Sequence, residues 1–363
     1  MSLRFHWSMS SAGAQHRGAT ARASQSGVPD IAAHVAFCRR ADECGMDSLL
    51  TAFGFHRPDP IVLASALAML TERITFMVAV RSGVSSPTAL VQQVNTVAAL
   101  TGGRICLNIV AGHTPAEQRA YGDFLSHDER YERTDEFLTI CRSLWSGDGP
   151  TTFNGKYYTI DSARLNTPFV SRERTQPEIF LGGNSLAAEQ LAMKHADCLW
   201  RLPDTPERLR PRVATLVDRG VEVGLLVSVI ARPTREEAVD AAYRMIESLG
   251  AKPIVTHRDF ASSSDSVAFT STYKLADETA SGWLSPYLWS GAVPYLGAPA
   301  IALVGSADDV ASAIIEYRDI GITQFLFMGW PDIEEMTFFS QAVEPLVRAK
   351  EAGAALRMAV SSW

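Results

Sequence analysis

The stretch QPEIFLGGNSLAAEQLA, Gln176–Ala192, decides how this chain is read. Glu178–Leu181 has the character of a short buried strand, Gly182-Gly183-Asn184-Ser185 of a tight turn, and Leu186–Lys194 repeats apolar residues at helical spacing. A strand that hands glycines and a hydroxyl to a helix start makes an anion site. The first-turn N–H groups are free there, and the helix dipole is positive. The glycines let an oxyanion approach the backbone, and Ser185 adds a donor. The same four residues read equally well as an ordinary link with Ser185 as a plain N-cap, so the flanking chain has to decide.

Upstream, Leu3–Met9, Asp47–Ala52, Ile74–Val80 and Ile105–Val110 read as strands. A polar Gly/Ser-rich loop to about Pro29 follows the first of them. Between them lie helical stretches at Asp30–Cys44, stopped by Gly45, at Pro58–Leu70, and at Pro87–Leu100, closed by Gly102-Gly103. Ala116–Tyr121 and Asp128–Trp145 are helical as well. Downstream, Asp197–Trp200, Val221–Ile230 and Gln324–Met328 read as strands. Helices are expected at Pro206–Arg219, Thr234–Leu249, Ala307–Ile320 and Ile333–Leu346, the second opened by the capping-box spacing Thr234-x-x-Glu237. Two segments break the alternation. The β-rich insertion of about 150–176 contains Thr151–Asn166 with Asn154-Gly155 as a hairpin turn, and Ala251–Ala300 is irregular and rich in Ser, Gly and Pro. Irregular chain of that length usually forms a lid, here expected over about 250–300.

The count is eight strands, apolar throughout rather than alternating, which is how buried parallel strands look. Eight is also the number that closes a barrel. The first βα turn lacks G-x-G-x-x-G, which weakens an open doubly wound sheet. The expected fold is therefore α/β, a (β/α)₈ TIM barrel with insertions, one domain over residues 1–363.

Composition narrows the function. The 363 residues are 47% hydrophobic and 20% charged, enough for a large core, and the net charge is −7 with no basic run. Nucleic acid and anionic membranes are therefore poor partners. Five scattered cysteines without C-x-x-C spacing argue against a disulfide framework or a zinc site and for a cytoplasmic setting. The N-terminus has no apolar signal segment, and no run of about 18 apolar residues offers a membrane span.

In such barrels the site lies at the C-terminal ends of the strands. Those ends carry Trp7-Ser8-Met9-Ser10, Phe53–Arg57, Arg81-Ser82, Asn108–His113, Gly182–Ser185, Trp200-Arg201, Ser228 and Gly329-Trp330. This rim is rich in aromatics, Gly, Ser and Asn and poor in carboxylates. It has no H-E-x-x-H, no paired acids and no metal set. It suits a planar, phosphorylated cofactor that carries the hard chemistry itself.

The chain resembles the bacterial luciferase-like flavin family, most closely its alkanesulfonate monooxygenases. The resemblance rests on MVAVRSGVSSP (Met77–Pro87), GRICLNIVAG (Gly103–Gly112), HDERYERTDEF (His127–Phe137), Phe153–Lys156, Phe180–Ser185, SPYLWSG (Ser285–Gly291), Ala302–Gly305 and GWPDIEE (Gly329–Glu335). It implies a small-molecule substrate, a homodimer or homotetramer, and reduced FMN supplied by a separate NAD(P)H:flavin reductase, with O2 activated as a flavin peroxide adduct. Carried over residue by residue, Gly182, Gly183, Asn184 and Ser185 correspond to the phosphate-binding turn and Tyr131 to a tyrosine that reaches the phosphate. Asn108 corresponds to a polar contact near the ring, and Ala79, Val80 and Arg81 to the segment beneath it. Read without the resemblance, Tyr131 is a helix-surface tyrosine and Asn108 an amide capping a turn.

The chain departs from the sulfonate enzymes where a buried sulfonate would need cations. An arginine and a histidine on their seventh barrel strand are replaced by Leu226 and Ser228, a second arginine by Leu296 and a tyrosine by Trp330. Their cysteine after strand two falls in the Phe55-His56 region. The expected pocket is apolar and aromatic, walled by Trp7, Phe55, Trp200, Ser228, Leu296 and Trp330, although a buried tryptophan is more often core, and a simple alkanesulfonate is not its substrate. His56 and His113 are the acid–base candidates, each equally a histidine bonded to loop backbone, and Arg57 is a catalytic candidate or a solvated side chain. Two other readings stand: an F420-dependent hydride-transfer oxidoreductase of the same superfamily, and a non-catalytic flavin-binding protein.

Overall fold

The computed structural model describes residues 2–9, 28–54, 57–112, 114–249, 264–329 and 332–361. Eight strands form the barrel: β1 (Arg4–Ser8), β2 (Ser48–Thr51), β3 (Thr75–Val80), β4 (Ile105–Ile109), β7 (Ile179–Gly182), β8 (Cys198–Arg201), β9 (Glu222–Arg232) and β12 (Ile322–Gly329). Each pairs in parallel with the next, and β12 pairs with β1, so the sheet closes. The eight are those expected from the apolar runs. The hairpin β5 (Thr151–Asn154) and β6 (Thr159–Ala163) stands apart. β10 (Leu288–Trp289) and β11 (Ala302–Ser306) extend the sheet along the outer half of β9.

The helices that cover the barrel are α1 (Ile31–Glu43), α2 (Pro60–Ala68), α3 (Pro87–Thr101), α4 (Pro115–Ala120), α5 (His127–Ser146), α6 (Leu186–His195), α7 (Pro206–Val217), α8 (Arg235–Leu249), α9 (Val267–Ala276), α10 (Val293–Leu296), α11 (Ala307–Arg318), α12 (Asp332–Phe338) and α13 (Glu344–Ser361). Local chemistry sets their ends. Asp30, Ser86 and Ser185 cap helix starts through their side-chain oxygens, and Ser126 with Glu129 completes a capping box at α5. The Thr234/Glu237 pair forms as expected, at 3.1 and 3.2 Å. Gly102 ends α3 in the left-handed region, φ 69°.

Strand alternation separates two apolar populations. One set, including Phe5, Leu49, Phe76, Val78, Leu107, Leu181 and Phe327, packs the strands against the helices. The other, Leu50, Met77, Ala79, Cys106, Phe180, Cys198, Trp200 and Leu326, fills the barrel interior. Trp200 stacks on Phe180 with ring centroids 5.3 Å apart at 11°. The ring fits because its neighbour Gly224 has no side chain; a Cβ there would overlap the Trp200 six-membered ring. The other end of the interior is closed by polar groups. His6 bonds Ser48 Oγ at 2.7 Å and Gln324 Oε1 at 2.9 Å, and Arg4 pairs with Glu178. Burial, reinforced by Arg4, holds the His6 imidazole neutral down to about 3.

Two local readings are corrected, and one strand is added. Asn154-Gly155 is not the turn of the hairpin. Asn154 still pairs with Thr159, and the loop between them is organised by the Glu136 carboxylate, which accepts from the N–H groups of Lys156, Tyr157 and Tyr158. The segment read as irregular contains α9, whose many Ser and Thr residues hide its periodicity and whose N-cap Ser266 accepts from Phe269 N. Ala302–Ser306 is a strand that adds to β9 outside the eight. Cys38, Cys44, Cys106, Cys141 and Cys198 are buried free thiols. Among the described residues no helix is long and apolar enough to cross a membrane, and no cluster of metal-ligating side chains occurs.

Candidate active site

A cavity of about 250 Å³ opens at the C-terminal ends of the barrel strands. Its floor is apolar, made by Leu50, Ala79, Trp200, Leu226 and Leu326 with Phe53 beside them. Polar side chains keep to the rim: Arg81 and Asn108 after β3 and on β4, His127 and Tyr131 on α5, and the turn Gly182–Ser185 between β7 and α6.

The turn has the geometry of an anion cradle. Ser185 Oγ accepts from Ala188 N at 3.1 Å, which leaves its hydroxyl proton free to donate. Tyr131 reaches the Ser185 side chain, and burial pushes its phenol up, so it remains an O–H donor at neutral pH. A Cβ on Gly183 would lie 2.6 Å from the Ala188 methyl and 3.2 Å from the Tyr131 hydroxyl oxygen, whereas one on Gly182 would meet nothing. Asn184 carries a buried amide oxygen without a partner.

Two arginines that sequence reasoning did not single out as ligand-binding flank this turn. Buried Arg201 gives Nη1 to Glu189 Oε1 at 2.8 Å. Arg212 places Nε 3.6 Å from the same oxygen and donates Nη1 to the Asn184 carbonyl at 3.2 Å. Two guanidinium groups against one carboxylate leave the helix start net positive, as a phosphate requires. Arg201 was visible as the residue after Trp200 on a strand end. Arg212, midway along a helix, carried no comparable signal.

The roof comes from the excursion. Ser266, Val267, Ala268 and Phe269 border the cavity. They are tied to its wall by Arg130, which is 1% exposed. Arg130 donates Nε to Ala111 O at 2.9 Å, Nη1 to Leu125 O at 3.0 Å and Nη2 to Asp265 Oδ2 at 2.6 Å.

The structure thus brings Ala79, Arg81, Asn108, Tyr131, Trp200 and all four turn residues to one cavity. It does not bring the others there. Val80 faces the helices, as alternation after Ala79 demands. Trp7 is fully buried on the outer face of β1 against Phe327 and Phe339, at 5.8 and 6.3 Å, so it packs the core. Ser228 donates Oγ to Pro299 O at 3.0 Å, and Leu296 packs in a separate cluster with Ile230 and Trp289. Arg57 is exposed and interacts electrostatically with Glu117. Phe55, His56, His113 and Trp330 lie outside the described residues.

The described residues fit a phosphorylated planar cofactor. The tight Gly183 cradle, two hydroxyl donors and net positive helix start would suit the phosphate, and the flat floor would suit the ring. The fold is shared with known proteins. Structural similarity extends to a long-chain alkane monooxygenase (19% identity, TM-score 0.77, 97% of this chain and 92% of that one). It extends also to the EDTA monooxygenase from Chelativorans sp. BNC1 (18%, 0.76, 97% and 95%) and to an F420-dependent secondary alcohol dehydrogenase (18%, 0.65, 96% and 99%). The model of the luciferase-like monooxygenase family matches residues 3–324. The chain belongs to the luciferase-like monooxygenase family.

Proposed function

We propose that this member of the family binds reduced FMN, delivered by a separate NAD(P)H:flavin reductase, and uses O2 to oxygenate a small organic molecule with an apolar or aromatic body. One observation carries the reading: a single cavity runs from the anion cradle at Gly182–Ser185 over an apolar floor to Arg81 and Asn108. The reduced flavin supplies the oxygen chemistry when bound. Gly183, Ser185 and Tyr131 would hold its phosphate, with Arg201 and Arg212 supplying charge. Asn108, whose Oδ1 is buried without a partner, would orient the ring. α9, fastened by Arg130 through Asp265, excludes water from above. Leu226 in the lining, where the sulfonate enzymes carry an arginine, supports an uncharged or weakly polar substrate. The protein works in the cytoplasm as a homodimer or homotetramer under this proposal.

The test is an anaerobic titration with reduced FMN and, separately, reduced F420, followed by mixing with oxygen. The reading expects FMN binding at micromolar or tighter Kd and reoxidation slower than that of free reduced FMN. F420 binding without FMN binding would move the protein to hydride transfer and overturn it.

A further inference from the structure

Arg81 is the least explained charge in the cavity. Its side chain is 8% exposed, gives Nη2 to Glu117 Oε2 at 2.7 Å and lies 4.6 Å from the Phe53 ring centroid. Its Nε and Nη1 are buried and have no partner among the described residues. A buried donor left unmade is costly, so two on one guanidinium call for an acceptor from outside the chain. Arg57 also interacts electrostatically with Glu117.

Register gives the location. Ala79 pairs with Asn108, and Asn108 with Phe180, so Arg81 stands two strand spacings from Gly182, about 10 Å. Between them lies the apolar floor. The other titratable groups of the lining sit at the opposite, cradle end: Arg201 on Glu189, His127 on Asp128, and Tyr131 beside Ser185 as a neutral phenol.

We propose that Arg81, oriented by Glu117 and Phe53, holds the reduced cofactor ring as its anion by giving Nε and Nη1 to the ring's electron-rich polar edge. The inference rests on the reduced-FMN reading above and names the cation that acts on the ring rather than on the phosphate. No electron moves in this step: the ring loses one proton to solvent, and the guanidinium compensates the charge. Arg81 is then a positioning and charge-setting residue.

The experiment is a spectroscopic pH titration of anaerobic protein loaded with reduced FMN, following the absorbance change on ring ionisation. The wild type should ionise about one unit below free reduced FMN, a tenfold shift in proton affinity. Arg81→Met should return the midpoint to that of the free flavin, and Arg81→Lys should retain most of the shift. Oxidised FMN, neutral in the ring and anchored by its phosphate, should lose less affinity than reduced FMN in Arg81→Met, since only the neutral hydrogen bonds and not the charge pairing are lost. Should Arg81→Met strand Glu117 and fail to fold, the Arg81→Met/Glu117→Gln protein removes both charges and should show the same free-flavin midpoint. An unchanged midpoint in the Met variants with FMN still bound overturns the inference alone. Failure of the wild type to bind reduced FMN overturns the reading beneath it as well.

Discussion

Replacing Gly224 by alanine tests the packing that shapes the cavity floor. The added methyl overlaps the Trp200 ring, which is 4% exposed and wedged against Phe180 and His6, at 5.3 and 5.5 Å between centroids. β9 is bonded on both sides, to β8 and to β12, so the backbone at Gly224 cannot retreat. The ring must move instead. Overpacking costs about 1–3 kcal/mol, and loss of the Phe180 stack adds about 0.5–1.5 kcal/mol, so destabilisation of about 2–4 kcal/mol is expected. A double-mutant cycle in urea isolates the cause. Trp200→Leu alone should destabilise by about 2–4 kcal/mol through the cavity it leaves. In the Trp200→Leu background Gly224→Ala should become nearly neutral, a coupling of about 2 kcal/mol. Additive effects, or a Gly224→Ala protein within about 0.5 kcal/mol of the parent, would refute the claim that this glycine exists to seat the indole.

Other consequences are equally concrete. Ser185→Ala removes a helix cap and an anion donor. It should weaken FMN binding about tenfold by fluorescence titration and cost about 1 kcal/mol of stability. Gly183→Val should abolish flavin binding while circular dichroism stays that of the parent, because the side chain fills the cradle between Ala188 and Tyr131. Glu335 is fully buried, and burial raises its carboxyl to about 7, against the pull of Arg232 and the Ala231 N–H. The native state therefore binds that proton more tightly than the unfolded chain. This contribution to stability is complete below about 4.5 and lost as pH rises through about 7. In urea melts across that window, Glu335→Gln should flatten the fall; an equally steep fall in the variant would rule Glu335 out as its source. Sulfite release from alkanesulfonates with reduced FMN should be absent in the wild type, and robust release would contradict the apolar reading of Leu226.

The barrel was legible because its strands are short apolar runs punctuated by caps and glycines, and all eight were found from those signals. What failed had competing physics behind it. Asn154-Gly155 carries a turn signal, yet a carboxylate from α5, 18 residues upstream of Asn154, dictates the loop. Trp7 looks like a cavity wall at a strand end, but strand parity sends it outward against Phe327, and a tryptophan alone does not announce its parity. The strand–turn–helix geometry of the proposed anion cradle was readable from four consecutive residues. Of its arginines Arg201 showed only as a strand-end residue and Arg212 not at all, since Arg212 reaches the turn only after α7 docks beside α6. Long-range contacts of this kind leave no local periodicity.

The distribution of the cavity's parts has an evolutionary consequence. The proposed phosphate grip draws on the β7 turn, α6, α5, Arg201 of β8 and Arg212 of α7, whereas Leu226, Pro299 and the α9 residues lie on segments that contribute nothing to it. Selection, or a mutant library, can therefore rewrite the second group without touching the first. A lineage built on this plan can trade one oxidisable molecule for another while its flavin supply stays the same, and recombination breakpoints placed after Val217, the end of α7, would exchange specificity as a block.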